Sequence, residues 1–324
     1  MQSEAITFHP VVIGGGSVGL LYAARFLLNG QSVELVTRTR EQAALIGDRG
    51  LSLFTLDGRR ETVAVNASPI DDGLPEGDLY LLAVKQTAIA ELLPLLRQLP
   101  RSARVLALQN GMGHHEQLAE GLEPGQRFYA INTEGARRLS PFEVEHTGTG
   151  LLRVGPWTAE PVRDPLIAAF VAWANRCGIR AEYVDAVEPY AWRKLLANAL
   201  INPLTALFEI PNGMLLDSPH TLRLMRELFD EAAAVAKRCG QKIDEADWQE
   251  IVSICRNTSR NLSSMLQDIR RHHRTEVDAI NGYLVDKGKR TGTPVPLHET
   301  LLRAVHLKSG METAKGEAAH DRFG

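Results

Sequence analysis

Lys194, Asn198 and Asn202 recur every fourth residue along Trp192-Arg-Lys-Leu-Leu-Ala-Asn-Ala-Leu-Ile-Asn-Pro203. In a helix such a spacing drifts only about 40° per step, so one face carries an ammonium and two amides. Around them stand Leu195, Leu196, Ala197, Ala199, Leu200 and Ile201, a set that demands burial. Polar groups in such company need partners, because an unpaired buried one costs about 1–3 kcal/mol. Two readings follow. The stripe faces water as the solvated side of a helix, or it forms one wall of a site that grips a small, oxygen-rich anion.

A second chemistry-bearing cluster lies near the N-terminus. Thr7 to Ile13 reads as a short strand, followed by Gly14-Gly-Gly-Ser-Val-Gly19 and an apolar helical run from Leu20 to Leu28. Gly14, Gly16 and Gly19 fill the three glycine positions of a dinucleotide fingerprint, for the tight turn, close approach of a pyrophosphate and helix–strand packing. Ser17 and Val18 lie within this loop, just before a helix whose free N–H groups favour phosphate. The next strand, Ser32 to Thr37, runs into Thr37-Arg-Thr-Arg40 without the acid that would bond a ribose 2′-hydroxyl. A guanidinium there suits a 2′-phosphate, so Arg38 predicts NADP(H) rather than NAD.

These residues need a scaffold, and the first half supplies a strand–helix rhythm. A helix is expected at Glu41–Asp48 and strands at Leu51–Phe54, Thr62–Val65, Asp78–Val84 and Val105–Leu108, with a helix at Ala88–Arg97. The pattern predicts a doubly wound, mostly parallel sheet of Rossmann type, with ligands beyond the strands' carboxyl ends. Gly14, Arg38, Lys85 and Asn110 all fall at such ends and are expected to ring one crevice. Phe142–His146 and Leu151–Val154, joined by Thr147-Gly-Thr-Gly150, read as an antiparallel hairpin appended to that sheet. Leu166–Cys177 reads as a helix and Ile179–Val184 as the last strand. From Val187 the pattern turns helical. The expected division is a nucleotide domain over 1–187, an all-helical domain over 188–308 and a frayed tail over 309–324.

The helical half holds further polar clusters. Asn212 sits in the turn Ile210-Pro-Asn-Gly-Met214, where it adopts turn geometry or presents its amide to a ligand. Asn261-Leu-Ser-Ser-Met-Leu-Gln-Asp268 leads to Glu276, which precedes the helical pattern Val277, Ile280, Leu284. Glu276 reads either as a first-turn acid that favours the helix dipole or as a carboxyl group that manages a proton beside a lysine. His272 and His273 read as solvated residues of a basic turn.

Composition narrows the class. At 324 residues and a net charge of −3 with interspersed signs, the chain fits a two-domain enzyme, not a nucleic-acid or membrane-surface binder. No apolar run approaches the roughly 20 residues of a membrane span. Met1-Gln-Ser-Glu-Ala5 lacks a secretion signal, and Cys177, Cys239 and Cys255 lack metal-ligand spacing. A cytoplasmic location with reduced thiols and no metal is expected.

Gly14-x-Gly-x-x-Gly19, Val84-Lys85, Gln109-Asn-Gly-Met-Gly113, Trp192-Arg-Lys-x-x-x-Asn-x-x-x-Asn-Pro-Leu-Thr-Ala206, Pro211-Asn-Gly213, Ser263-Ser-Met-Leu-Gln-Asp-Ile269 and Thr275-Glu-x-Asp-x-Ile-Asn-Gly282 occur in this order. From about Val11 to about Val305 the chain resembles the 2-dehydropantoate 2-reductase (ketopantoate reductase) family, NADPH enzymes of pantothenate and coenzyme A biosynthesis. The resemblance implies that Lys194 is a catalytic lysine at the 2-oxo group and Glu276 an essential carboxylate near both nicotinamide and substrate. It implies substrate ligands at Asn198, Asn202, Asn212 and Ser264, with Asn261 beside them, and Asn110 touching cofactor and substrate. Arg38 and Lys85 correspond to a basic pair at the adenosine phosphate, and Ala136 to a backbone contact with the cofactor. The segment Thr133-Glu-Gly135 departs from the family pattern before Ala136. Gly15 is an unusual middle residue expected to be neutral.

Hydride would reach C2 of a 2-oxo acid while the Lys194 ammonium stabilises the developing oxyanion. Either Lys194 or Glu276 delivers the proton. The rivals are a paralogue that reduces another branched 2-oxo acid and a silent NADP-binding sensor. A 6-phosphogluconate or 3-hydroxyisobutyrate type dehydrogenase shares the layout but lacks the Ser-Ser-Met-Leu-Gln-Asp segment. Monomer and homodimer are both compatible with the sequence.

Overall fold

The computed structural model describes residues 8–159 and 163–320, with side chains through Gly310. The chain divides into two compact units, Met1–Gln109 with His114–Glu188, and Asn110–Gly113 with Pro189–Gly324. The second unit thus takes in four residues, Asn110 to Gly113, from the middle of the first half.

The first unit opens with strand β1 (Pro10–Ile13), helix α1 (Ser17–Leu28), β2 (Glu34–Thr37) and α2 (Arg40–Arg49). Then follow β3 (Leu51–Phe54), β4 (Arg60–Val63), β5 (Asn66–Pro69), β6 (Leu79–Leu82), α3 (Ile89–Leu96) and β7 (Arg104–Ala107). After α4 (His114–Ala119) come β8 (Arg127–Asn132), β9 (Gly135–Ser140), β10 (Glu143–Gly148), β11 (Leu152–Gly155), α5 (Pro165–Arg176) and β12 (Ala181–Tyr183). Eight strands form one sheet in the order β12-β11-β8-β7-β6-β1-β2-β5. Every neighbouring pair is parallel except β11 with β8. Its central strands are buried along their length and lack the polar alternation of a one-sided sheet, as helices on both faces require. Between α1 and α5 the Phe26 and Trp173 rings stack at 4.0 Å, flanked by Phe8 and Phe170.

The doubly wound sheet is the one the sequence predicts; the appended hairpin is not. A second sheet, β4-β3-β10-β9, takes β10, which runs antiparallel to β9 and parallel to β3. Meanwhile β11 joins the large sheet against β8. The cause lies at the glycines read as a turn. A Cβ on Gly150 would stand 2.2 Å from the Thr133 carbonyl carbon, so the chain here presses against the end of β8. The Thr133 N–H donates to the Leu151 carbonyl at 3.1 Å and fixes that course.

The second unit is helical, with α6 (Glu188–Phe208), α7 (Pro219–Arg238), α8 (Glu245–Asn257), α9 (Ser264–Arg270), α10 (Tyr283–Thr291) and α11 (Pro296–His320). Local signals set the ends: Ser218 caps α7, Asp244 caps α8 in a capping box, and Ser263 caps α9. Gly292, at φ 67°, stops α10. The residues expected as a frayed tail continue α11 to His320, and 321–324 lie outside the described residues. A π-helical turn, Asp278–Gly282, precedes α10. Among the described residues no helix is long and apolar enough to cross a membrane.

Candidate active site

The first unit places Gly14, Arg38 and Lys85 just past the ends of β1, β2 and β6, three adjacent parallel strands. Gly14 adopts φ 121°, and its N–H donates to the Val36 carbonyl at 2.8 Å. A Cβ there would lie 2.7 Å from the Ala83 oxygen, and one on Gly19 only 1.8 Å from the Gly14 oxygen. Both glycines are therefore demanded by packing. Gly16 is different, for a Cβ there meets nothing closer than 3.8 Å. Gly16 directly precedes the first turn of α1, whose first residues are Ser17 and Val18. A Cβ on Gly15 would reach 2.5 Å from the amide at the movable end of Gln42, which donates to the Gly15 carbonyl at 2.8 Å. Gln42 thus steadies the loop, a role no motif announces.

At the tip of β2, Arg40 is engaged by Asp72 at 2.5 Å. Arg38 is exposed and makes no hydrogen bond or ion pair with a described residue. Lys85 is exposed where the chain leaves β6, and Gln109 donates to the Leu82 and Val84 carbonyls beside it at 3.0 and 3.2 Å. Ala136 lies on β9, packed against the core that includes α1. The unusual Glu134 before it is buried with His146, whose Nε2–H donates to its carboxylate at 2.6 Å, and it also accepts from the Gly150 N–H. Burial alone would raise its pKa, yet these bonds hold it below the usual carboxylate range.

In the second unit the Lys194 ammonium donates to the Asn110 carbonyl oxygen at 2.8 Å. The Asn110 amide N–H in turn reaches the Glu276 carboxylate at 3.4 Å. Asn110 therefore joins the lysine to the carboxylate, and all three residues belong to the second unit. The position of Asn110 depends on Gly111, at φ 76°, where a Cβ would meet the Ala279 oxygen at 2.5 Å. The Met112 N–H seals the contact by donating to that same oxygen at 2.9 Å. Burial lowers the Lys194 pKa to about 8, against the opposing pull of Glu276.

One turn apart on α6, Asn198 is half-buried and Asn202 is 6% exposed. Neither side chain hydrogen-bonds a described residue. Beyond them the hydroxyls of Thr205 and Ser263 stand 2.7 Å apart, which brings the Asn261–Ser264 segment to α6. Asn261 and Ser264 are exposed. Asn212 is buried, with its amide on Thr258 Oγ1 at 2.9 Å and its backbone N–H on the Asn261 carbonyl at 3.0 Å. A family model for ketopantoate reductase PanE/ApbA matches residues 11–159, and one for the C-terminal part of that family matches 186–309.

The chain belongs to the ketopantoate reductase family.

It is 34% identical over 297 residues to 2-dehydropantoate 2-reductase of Bacillus subtilis, covering 92% of this chain and 93% of that one. With the 2-dehydropantoate 2-reductase of Pyrococcus horikoshii it shares 30% identity over 93% and 97% of the two chains. A crystal structure of a PanE/ApbA family ketopantoate reductase from Ralstonia eutropha superposes with TM-score 0.84 at 30% identity, covering 94% and 99%. A D-mandelate dehydrogenase solved with NADH and anilino(oxo)acetate has the same fold, with TM-score 0.87 at 21% identity over 94% and 99%. The chain is thus an NAD(P)-dependent oxidoreductase of the ketopantoate reductase family.

In this ketopantoate reductase family member, one positioning residue escaped the sequence reading. Pro203 lacks the N–H that would satisfy the Ala199 carbonyl four residues earlier. Asn281, fully buried in the π-helical turn, donates to that carbonyl at 3.0 Å and stands 3.0 Å from His298 Nδ1. His298 Nε2 is 3.0 Å from the Leu228 carbonyl, which assigns the proton to Nε2 and the acceptor role to Nδ1. Burial drives this imidazole down to about 4, so it stays neutral. The turn just after Glu276 is thereby tied to the helix that carries Lys194.

Proposed function

We propose that the protein reduces 2-dehydropantoate to (R)-pantoate with NADPH, in the pantothenate and coenzyme A route. The observation that carries this reading is the linked set Lys194, Asn110 and Glu276 beside the unpaired amides of Asn198 and Asn202. The names of the relatives in Bacillus subtilis and Pyrococcus horikoshii point to the same substrate. Bound NADPH would supply the hydride. The Lys194 ammonium would stabilise negative charge on the substrate's C2 oxygen, aided by its partly dehydrated surroundings. A proton on Lys194 or Glu276 serves that oxygen, and Asn110 holds both groups in register for it.

The amides of Asn198 and Asn202, with Asn261, Asn212 and Ser264, supply donors and acceptors for a carboxylate and a hydroxyl. No arginine clamp is needed. The preference for NADPH rests on Arg38, exposed and uncommitted at the end of β2 while Arg40 neutralises Asp72. A fold shared with an NADH-bound dehydrogenase leaves that preference to such side chains. The test is NADPH oxidation followed by absorbance with ketopantoate, with NADH and other branched 2-oxo acids in parallel. Fast, NADPH-selective turnover of ketopantoate supports the reading. NADPH binding with turnover only of a different 2-oxo acid replaces the substrate.

A further inference from the structure

Strand β9 crosses the start of α1 and carries Arg138, a residue outside every motif discussed above. Its backbone N–H donates to Ser17 Oγ at 3.0 Å. Its guanidinium Nη1 donates to the Gly15 carbonyl at 3.3 Å, on the oxygen that Gln42 also holds. Alternation along β9 sets Arg137 apart from Arg138, and Arg137 is committed to Glu145 at 2.6 Å. Arg138 remains exposed, with most of its five N–H donors unspent.

The strand beneath is well anchored. Glu134, one residue before β9, is buried and fixed by His146 and by the Gly150 N–H. His146 Nδ1 also lies 2.9 Å from Arg25 Nη2 on α1, which joins β10 to that helix. A side chain on β9 therefore keeps a defined position against the glycine loop. Ser17 Oγ accepts the Arg138 N–H, which leaves its own hydroxyl proton for an anion at the head of α1. On Gly16, between Gly15 and Ser17 in the chain, a Cβ would meet nothing closer than 3.8 Å.

We propose that Arg138 binds the diphosphate of the dinucleotide, with the Ser17 hydroxyl as its partner donor. Arg38 at the end of β2 then deals with the 2′-phosphate alone. The assignment rests on the nucleotide reading of the first unit and extends it to a residue that no motif marks. A guanidinium fork matches two phosphate oxygens at once, so its charge and its geometry both count.

The experiment compares Arg138→Gln and Arg38→Gln with the unaltered protein by isothermal titration or competition binding of ADP, 2′-AMP, adenosine and NADPH. Glutamine at 138 keeps an amide donor for the Gly15 carbonyl and removes the charge. Expected for Arg138→Gln is about ten- to a hundredfold weaker binding of ADP and NADPH, with 2′-AMP and adenosine unchanged. Arg38→Gln should weaken 2′-AMP and NADPH and spare ADP. Unchanged ADP affinity in Arg138→Gln overturns the proposal, and so does a loss confined to 2′-AMP. An equal loss for all four ligands, adenosine included, assigns Arg138 a merely structural role and also overturns it. If the unaltered protein binds neither ADP nor NADPH, the nucleotide reading itself fails, a result distinct from all of these.

Discussion

Lys194 is asked to stay charged in surroundings that disfavour charge. Burial lowers its pKa to about 8 from the usual 10.5, with Glu276 pulling the other way. An ammonium so placed gives up a proton readily and still carries its charge at neutral pH. The reductive kcat/KM should hold below about pH 8 and fall above it, whereas an unperturbed lysine would sustain it to about pH 10. For stability the sign is opposite. Between about pH 8 and 10.5 the unfolded chain binds a proton here that the folded chain lacks, so this residue's contribution to stability rises with pH in that window. A pH–rate profile flat through pH 9.5 would contradict the assignment. Lys194→Ala should lower turnover by about 10²–10⁴, read from single-turnover NADPH oxidation. The four-residue spacing of Lys194, Asn198 and Asn202 was legible because it depends on helix geometry alone. Asn110 between Lys194 and Glu276 was not, since its partners lie 84 and 166 residues away in sequence.

At the scale of elements, the site depends on how the π-helical turn grips α6. Proline inside a helix strands a carbonyl, and here Asn281 supplies the missing donor while it also faces a neutral histidine. Asn281→Ala removes both contacts and leaves the Ala199 carbonyl and His298 Nδ1 buried without a donor. Such groups cost about 1–3 kcal/mol each, so urea denaturation should show a loss of roughly that order. Turnover should fall with it, because Glu276 sits just before this turn, while KM for NADPH stays near its original value. Pro203 and Asn281 were both visible as residues; the bond from Asn281 to the Ala199 carbonyl, across 82 positions, was not. Regular elements with strong apolar patterns, such as β1, α1 and β6, were readable for the converse reason, that periodicity is local. Strands β5 and β9, polar in sequence, carry no such signal, and the glycines before β11 imitated a hairpin turn that the packing at Gly150 forbids.

For the whole molecule, the sequence pattern changes near Val187, close to where the second compact unit resumes at Pro189. The excursion of Asn110 to Gly113 into that unit leaves no trace in composition. The glycine loop Gly14–Gly19 and the Lys194–Asn110–Glu276 set belong to different units, so damage to one should be separable from damage to the other. Ligand that binds only the folded state stabilises by RT ln(1 + [L]/Kd), about 2.7 kcal/mol at a hundredfold excess over Kd. NADPH should therefore raise the Tm of the unaltered protein by several degrees. Lys194→Ala should keep most of that rise while its turnover collapses. Gly19→Ala should lose it, because the added methyl would stand 1.8 Å from the Gly14 oxygen and force the glycine loop open. Differential scanning of the three proteins with and without NADPH reads the comparison directly. A Tm rise in Gly19→Ala equal to that of the unaltered protein would remove the glycine loop from the nucleotide site. Loss of the rise in Lys194→Ala would instead make the lysine a main support of NADPH, and the separation of binding from chemistry would have to be abandoned.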